Sequence, residues 1–427
     1  MSASQSYPQF AYSAQLKPGE LRLLRLVDGP GDELHFNLEF ANLADDREDR
    51  EDPARARYMA LSYVWGSEEN KREMLVDGQK AFVTHNLHAA LSNPVLRLKC
   101  QSLPIWVDAV CIDQGNEDEK MAQIARMADV YSQACEVLVF LGAGSENTDL
   151  AMQDMDRIGK EALARNIDSL RDVEMSFWPD FHGVEDGEAK ARALRSLKEL
   201  MAQEAGGLPS SPAISLAAIR DLTNSQEGEA DEWVQQKLEQ MGHELGDFSS
   251  PPGISTAAIF DLLDAPWFTR AWVVQELVMA PRGAVSFVCG SKQVSWENMS
   301  ASYFFLAVWK LLEIPSLASP DATRKEQLMA QYRFRLRFGM WLRADNGRTS
   351  RTLGMRSRFL GNRLSRSMKS LMIASYVTPD AAPLECRDAK DKILALACMA
   401  PDSQRLDVIN LAKMRPHIVH IPILRGF

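Results

Sequence analysis

The sequence predicts an α/β protein built on a parallel β-sheet flanked by helices. Three apolar runs, each short enough for a buried strand, follow one another at residues 58–66, 103–112 and 137–142. Between the second and third runs, residues 117–134 carry apolar side chains at steps of three and four, which is typical of a helix with one buried stripe. Strand, helix and strand at this spacing form a βαβ unit, and such units give parallel sheets.

Two hairpins are predicted beside these strands. Residues 9–40 alternate apolar and polar positions around Gly29–Asp32, which indicates a β-hairpin or two edge strands. Residues 75–83 indicate a second hairpin that turns at Asp77–Gly78. Asn86 is placed to cap the helix that follows this hairpin.

Changes in composition suggest three regions. They are N-terminal strands and a charged loop at 1–57, the α/β domain at 58–300 with an acidic, helical insertion at 143–264, and a mostly helical, basic region at 301–427. The final residues show no obvious closing element, which suggests a truncated chain.

Further helices and strands are predicted after residue 143. Within the insertion, helical pieces are expected at 191–204 and 232–244. The sheet pattern then resumes with a helix at 267–280 and a strand at 284–289.

Composition and charge narrow the classes of function. The 427 residues are 46% hydrophobic and 25% charged, with a formal net charge of -10, so the averaged field repels nucleic acid and anionic membranes. No apolar run approaches the roughly 18 to 20 residues of a membrane span. The six cysteines have no paired spacing and no signal peptide precedes them, so we expect a reducing, cytoplasmic location without disulfides or a metal site.

One carboxylate stands out within an apolar segment. Residues 271–280 are apolar on every side of a helix, yet they carry Gln275 and Glu276. Phe268 and Trp272 precede Glu276 by eight and four residues, which places them on roughly the same helix face. Burial among aromatic rings raises the pKa of a carboxyl group, and such groups cluster at functional sites. The alternative is a structural ion pair with an arginine such as Arg270 or Arg282.

Further candidate residues follow the first two predicted strands. Ligands of open parallel sheets bind at the carboxyl ends of the strands. Asp108 suits a site or a buried hydrogen bond, and Asp113 suits a pocket lining or, together with Asn116, a helix cap.

The end of the first strand offers a glycine and aromatic residues. Gly66 permits close approach of a ligand to the backbone, and Trp65 can stack on a base or nicotinamide ring. Ser62 lies in the same segment, whereas Tyr63 is expected in the core. No glycine-rich phosphate loop occurs, so a nucleotide would not be held as in dehydrogenases or kinases.

Five blocks of sequence resemble the fungal heterokaryon-incompatibility (HET) domain family in order and spacing. They are Tyr58-Met-Ala-Leu-Ser-Tyr-Val-Trp-Gly66, Ile105-Trp-Val-Asp-Ala-Val-Cys-Ile-Asp-Gln114, the helix and strand from Glu119 to Gly142, Arg270-Ala-Trp-Val-Val-Gln-Glu276, and Cys386 to Leu396. Asp113 departs from the family's usual asparagine. Ala389 and Lys390 stand where the family usually has proline and arginine.

This resemblance implies a fold and a function. The HET domain is similar to the TIR domain, so a flavodoxin-like sheet of about five parallel strands is implied. It also implies a trigger of regulated cell death in non-self recognition, a form of fungal innate immunity. By analogy with enzymatic TIR domains, Glu276 is the candidate catalytic carboxylate of NAD cleavage. Ser62, Trp65, Gly66, Asp108, Asp113 and Trp272 are then the candidate substrate-binding residues, with NAD a substrate and no cofactor required.

Two other interpretations stay open. The protein could be a non-enzymatic death effector or adaptor that signals by self-association, with an unknown upstream sensor protein as its partner. It could also be a folded remnant without activity.

Overall fold

The computed structural model describes part of the chain. The described residues are 7–27, 33–43, 56–164, 256–312, 348–360, 371–372, 375, 384–386, 388, 391–397 and 399–400. The helical pieces predicted at 191–204 and 232–244 lie outside these residues.

The chain divides into two compact units, which we call the sheet unit and the helical unit. The sheet unit comprises residues 1–152, 261–296 and 345–427, and the helical unit comprises residues 153–260 and 297–344. Each unit is assembled from segments that are separate along the chain. The three regions predicted from composition are continuous segments, and their limits stay predictions.

A β-sheet forms the centre of the sheet unit. Its strands are β1 Glu20–Leu26, β2 His35–Asn42, β3 Met59–Tyr63, β4 Arg72–Val76, β5 Gln79–Val83, β6 Ile105–Trp106, β7 Glu136–Gly142, β8 Val285–Cys289 and β9 Lys292–Ser295. Among the described residues these nine strands form one sheet, in the order β5-β4-β2-β1-β6-β3-β7-β8-β9.

The described residues of the two units also form helices. They are α1 His85–Ser92, α2 Pro94–Cys100, α3 Asp108–Cys111, α4 Glu117–Ile124, α5 Met127–Gln133, α6 Glu146–Ala164, α7 Thr256–Leu263, α8 Val273–Met279, α9 Trp296–Leu312, α10 Arg348–Leu360 and α11 Asp391–Ala397, with a 3-10 turn at Pro266–Thr269. The prediction of an α/β protein is therefore confirmed.

The middle of the sheet is parallel, as predicted. β3 is buried along its whole length and pairs in parallel with β6 and β7, and β7 pairs in parallel with β8. The sheet is wider and more mixed than the expected five strands, because β1 adds to β6 in antiparallel fashion and brings its hairpin partner β2 with it. The β4–β5 hairpin then extends the sheet through a parallel pair between β2 and β4.

Several predicted elements are shorter than the sequence pattern indicates. The strand predicted at 103–112 contributes only β6, and Asp108 begins the short helix α3. The helix predicted at 117–134 divides into α4 and α5, since Arg126 leaves helical backbone angles and its amide donates to the Gln123 carbonyl, only three positions before it. The cap of α1 is Thr84, whose hydroxyl accepts from the Leu87 amide, rather than Asn86.

The helix predicted at 267–280 is also divided. Arg270 has extended backbone angles, and the segment around it pairs with Glu385. The Ala271 amide donates to the Glu385 carbonyl at 2.8 Å, and the Glu385 amide donates to the Thr269 carbonyl at 2.6 Å. This contact between distant segments replaces the helical hydrogen bonds that local sequence favours.

An apolar cluster joins α8 to the C-terminal part of the sheet unit. Its buried members include Val274 and Val278 of α8, Met355 of α10 and Leu396 of α11. Burial of each such side chain stabilises the fold by roughly 1.5–3 kcal/mol. The helix that carries Glu276 is therefore covered by residues from far along the chain.

The helical unit is described at residues 153–164, 256–260 and 297–312. The Asn298 side chain donates to Asp156 at 2.7 Å. A Cβ atom at Gly159 would lie 2.2 Å from the Asn298 carbonyl oxygen, so only glycine permits this approach of two backbones. Within the described parts of the whole chain, no helix combines the length and apolar character needed to cross a membrane.

Candidate functional site

The predicted site residues gather where the parallel strands β3 and β6 end. Ser62 is the penultimate residue of β3, Trp65 and Gly66 follow that strand, and Asp108 begins α3 just after β6. Glu276 approaches from α8. Because β3 and β6 are neighbours and run in the same direction, their carboxyl ends bring these side chains together.

Glu276 is bound to Ser62 inside the protein. The Ser62 hydroxyl donates a short hydrogen bond to Glu276 Oε2. The same hydroxyl oxygen accepts a hydrogen bond from the Trp267 indole nitrogen at 2.7 Å. Ser62, Trp267 and Glu276 are each at most 1% exposed. The helix and the strand are thus joined by a buried polar chain of three side chains.

The charge of Glu276 is only weakly compensated. Burial is the main reason that the pKa of Glu276 is raised to about 7; Arg270 and the Ser62 hydroxyl act against this rise, and the nearby charge of Asp108 adds to it. Among the described residues, no cationic side chain lies within 4.0 Å of this carboxylate. Arg282 instead donates to the Leu360 carbonyl. The close ion pair considered from sequence is therefore not formed.

Asp108 and Trp65 form a second pair at the same sheet edge. The Trp65 indole nitrogen donates to Asp108 Oδ2 at 2.8 Å, and the Ala109 amide donates to Oδ1 at 2.7 Å. Burial of the carboxyl group raises the pKa of Asp108, against the effects of Arg270 and of these hydrogen bonds. Asp108 and Trp65 are both partly exposed, in contrast to Glu276.

Arg270 is the cation of this group. Its guanidinium donates to the Tyr63 carbonyl, at the end of β3. Its charge lowers the pKa of both Glu276 and Asp108. Two carboxylates and one guanidinium therefore lie within electrostatic range of one another, which is an arrangement that can bind a polar ligand and share a proton.

Gly66 is fixed by a neighbouring helix. It has φ of +75°, and a Cβ atom there would lie 2.7 Å from the Asn86 side-chain nitrogen. Asn86 in turn donates to the Val64 carbonyl at 3.1 Å. Gly66 is exposed beside Trp65, so a side chain at this position would both strain the backbone and crowd the site.

Two predicted residues make other contacts. The Asp113 side chain accepts from the Gly115 amide at 3.0 Å, within its own turn. Trp272 packs against the apolar cluster that joins α8 to the C-terminal segments. The cap of α4 is Asn116, which accepts from the Glu119 amide at 3.1 Å. No observation tests a role in substrate binding for Asp113 or Trp272, and this role stays a prediction.

A different buried carboxylate holds the N-terminal hairpin to α4. Glu119 accepts from the Arg22 guanidinium at 2.6 and 3.1 Å and from the Asp113 amide at 2.8 Å. The Arg22 guanidinium lies over the Tyr12 ring, with its Cζ atom 4.4 Å from the ring centroid. Although burial opposes ionisation, these donors together lower the pKa of Glu119.

A second buried arginine fixes the far end of the Glu276 helix. The guanidinium of Arg356 donates to the carbonyls of Leu277, Ala280 and Pro281, the latter two at 2.8 Å. A cation at the carboxyl end of a helix also interacts favourably with the helix dipole. α8 is therefore bound at its start through Glu385 and at its end through Arg356.

Comparison with known proteins identifies the family. The family model described as heterokaryon incompatibility protein (HET) matches residues 58–276, which is just over half of the chain. The chain belongs to the HET family. The matched region begins one residue before β3 and ends at Glu276, so it contains Ser62, Asp108 and Arg270.

One curated HET relative is Heterokaryon incompatibility protein 6, OR allele, of Neurospora crassa. It is 25% identical over 261 residues, which cover 58% of this chain and 31% of the relative. The chain thus aligns with about a third of that protein's length. No solved structure matches the chain.

Sequence reasoning missed two members of this HET site. Sequence patterns place Trp267 at the start of a predicted helix, and they give Arg270 as the first residue of a family-like block and as a possible ion-pair partner, but as a site residue in neither case. Trp267 carries no local signal, because its partner Ser62 is 205 residues away. The polar Arg270 in an otherwise apolar segment was a signal, since a cation beside a buried carboxylate is characteristic of functional sites.

Proposed function

We propose that this HET protein acts in fungal heterokaryon incompatibility, triggering regulated cell death inside the cell after non-self recognition. Support comes from the family match and from the Neurospora crassa relative, whose name states heterokaryon incompatibility. The upstream sensor that activates it is a separate partner, and self-association of the chain is part of the proposed response.

The proposed chemistry is hydrolysis of the nicotinamide–ribose bond of NAD, on a TIR-like sheet. The observation that carries this proposal is Glu276, a buried carboxylate with a pKa near 7 and no cation within 4.0 Å among the described residues. Such a group accepts a proton at neutral pH. Asp108, coupled to it electrostatically, supplies the second negative charge of the site.

The reaction breaks the C1′–N bond and adds water to C1′, and the site contains groups that can assist both changes. Nicotinamide leaves with the electron pair of the C1′–N bond, which neutralises its pyridinium charge, so no general acid is required. The resulting oxocarbenium-like centre is stabilised by a nearby carboxylate. Water adds to C1′ and transfers a proton to ionised Glu276, and release of that proton to solvent restores the site.

Substrate reaches the partly exposed groups first. Asp108 and Trp65 lie at the surface of the site, with Gly66 leaving room beside them. In the proposed complex, Asp108 accepts hydrogen bonds from ribose hydroxyls and Trp65 stacks on the nicotinamide ring. Because Glu276 is 1% exposed in this state, binding must also open a path from Asp108 to Glu276.

The test is NAD consumption by purified full-length protein. Wild type is expected to release nicotinamide, and Glu276→Gln to lower the rate at least about 100-fold because it cannot accept the proton. Asp108→Asn is expected to lower the rate by roughly tenfold or more. The control Glu39→Gln changes a carboxylate in an exposed ion pair and is expected to keep wild-type rate. Equal rates for Glu276→Gln and Glu39→Gln would disprove the chemistry.

A second function is favoured by the same burial. With Glu276 only 1% exposed, the Ser62–Glu276 contact can serve to join β3 to α8 in a non-enzymatic death effector that signals by self-association. The two functions separate in cells. Toxicity of the wild type without loss of NAD, retained by a well-folded Glu276→Gln variant, would support the effector and reject the enzyme.

A further inference from the structure

The position of Arg270 suggests a role beyond balancing the two carboxylates. Its guanidinium is held by the Tyr63 carbonyl at the carboxyl end of β3, where open parallel sheets bind ligands. Asp108 and Trp65 share this edge. Arg270 is partly exposed, so its other N–H groups can be approached from solvent.

Arg270 forms no close ion pair with an acidic side chain of the described residues. Among the described residues, no carboxylate lies within 4.0 Å of its guanidinium. By contrast, the buried Arg22 is matched by Glu119 at 2.6 Å. An arginine that has a carbonyl to orient it and no adjacent acid retains donors for an anionic ligand.

The backbone on both sides of Arg270 is fixed. Thr269 and Ala271 both hydrogen bond with Glu385, at 2.6 and 2.8 Å, so the residue between them is bound on either side. Ala271 is fully buried and the following helix is capped by Arg356. A side chain on such a rigid segment loses less conformational freedom when it binds a ligand.

We propose that Arg270 binds a phosphate group of the substrate, so that the site takes phosphate-bearing ribonucleotides in preference to the bare nucleoside. This inference rests on the proposed function for the identity of the substrate. The planar guanidinium presents paired donors that match phosphate oxygens. Asp108 then faces the ribose hydroxyls, and the glycosidic bond lies between the phosphate anchor and Glu276.

Local charge is compatible with a phosphate at this place. Glu276 has its pKa raised to about 7, so near neutral pH this carboxyl carries less than a full negative charge. Asp108 is already engaged by the Trp65 indole and the Ala109 amide. The alternative, that Arg270 only neutralises the carboxylates, predicts no preference for phosphate.

Calorimetric binding of ADP-ribose to the full-length protein tests the proposal. Arg270→Gln is expected to weaken binding roughly 10- to 100-fold, the size expected for a charged hydrogen bond, and Arg270→Lys to weaken it less, because lysine keeps the charge but loses the paired donors. Inorganic pyrophosphate is expected to displace ADP-ribose from the wild type. The control Arg282→Gln, which also loses a guanidinium bound to a backbone carbonyl, is expected to bind as wild type does.

Several results would overturn the proposal. They are failure of the wild type to bind ADP-ribose, equal binding by Arg270→Gln, and failure of pyrophosphate to compete. If Arg270→Gln does not fold, the Arg270→Lys and pyrophosphate measurements decide the outcome. Arginine-dependent binding without NAD turnover would retain this inference and reject the proposed chemistry. NAD turnover with an unchanged KM in Arg270→Gln would retain the chemistry and reject this inference.

Discussion

Glu119 and Glu276 are both buried glutamates at the edge of one sheet, and their pKa values move in opposite directions. Glu119 is surrounded by donors, two from Arg22 and one from the Asp113 amide. These donors outweigh burial and lower its pKa. Glu276 has the Ser62 hydroxyl as its hydrogen-bond donor and a more distant Arg270, and burial raises its pKa to about 7.

The difference teaches that burial alone does not define a functional carboxylate. Glu276 is more deeply buried than Glu119, at 1% against 9% exposure, so burial opposes its ionisation more strongly. The two groups also differ in the number of N–H donors and in the closeness of the cation. Glu119, with its lowered pKa, is ionised at neutral pH and connects the hairpin to α4, whereas Glu276 can exchange a proton at neutral pH.

The largest expected effect comes from breaking the Glu119 pair. Arg22→Met leaves a buried carboxylate without its cation, and we expect it to lower the free energy of unfolding by about 3–5 kcal/mol. Urea unfolding at pH 7 measures this change. The control Arg25→Met breaks the exposed pair with Glu39 and is expected to cost less than about 1 kcal/mol. Equal losses for the two variants would mean that the Arg22 pair is no more important than a surface contact.

A smaller effect is expected in how the free energy of unfolding depends on pH, which differs between the two glutamates. The stability that protonated Glu276 contributes is present below its unfolded pKa of 4.5 and is lost as pH rises to about 7, a change of about 3 kcal/mol. Glu276→Gln is expected to remove this loss, so it should be more stable than wild type at pH 8. Unfolding free energies between pH 4 and pH 8 measure the difference.

Glu119 should show the opposite dependence. Its lowered pKa means that its contribution is present above the unfolded pKa and is lost as pH falls through the folded pKa. Glu119→Gln should therefore lose stability at neutral pH and differ less from wild type in acid. The comparison fails if both glutamine variants change stability with pH in the same direction.

The smallest expected effect concerns the Ser62 hydroxyl. This hydroxyl favours the ionised form of Glu276, so Ser62→Ala is expected to raise the pKa of Glu276 by roughly one pH unit. Carbon-13 NMR of the glutamate carboxyl groups can follow the titration. Ser286→Ala removes a hydroxyl from the partly exposed Glu136 instead and should leave Glu276 unchanged. A fall in the Glu276 titration midpoint in Ser62→Ala would contradict the argument.

Local patterns predicted much of the fold. Alternation of polar and apolar residues identified the β1–β2 hairpin, and Asp77–Gly78 marked the turn between β4 and β5. Apolar runs identified β3, β7 and β8. The long helix predicted at 267–280 was wrong in its first half, because pairing of Arg270 with Glu385 overrides helix propensity there.

The sequence predicted individual residues of the site but not the contacts between them. The cost of burying a charge pointed to Glu276, and the position of Asp108 after a strand pointed to a ligand-binding edge. The partner of Glu276 could not be predicted, because Ser62 lies 214 residues away and serine is common in strands and loops alike. A single sequence has no local signal for contacts over such separations.

The contacts of Arg356 and Glu385 have a practical consequence for producing this protein. A recombinant fragment cut at the limits of the family match, residues 58–276, would end inside α8 and omit the rest of that helix with its partner Arg356, the segment around Glu385 that pairs beside Arg270, and β1 with its Arg22. Such a fragment would expose an apolar helix and isolate a buried glutamate, and it would be prone to precipitate. The limits of a fragment for crystallisation should follow the contacts of the fold rather than the ends of the family match. Such a fragment should keep the first hairpin and residues 348–400 together with the catalytic candidates.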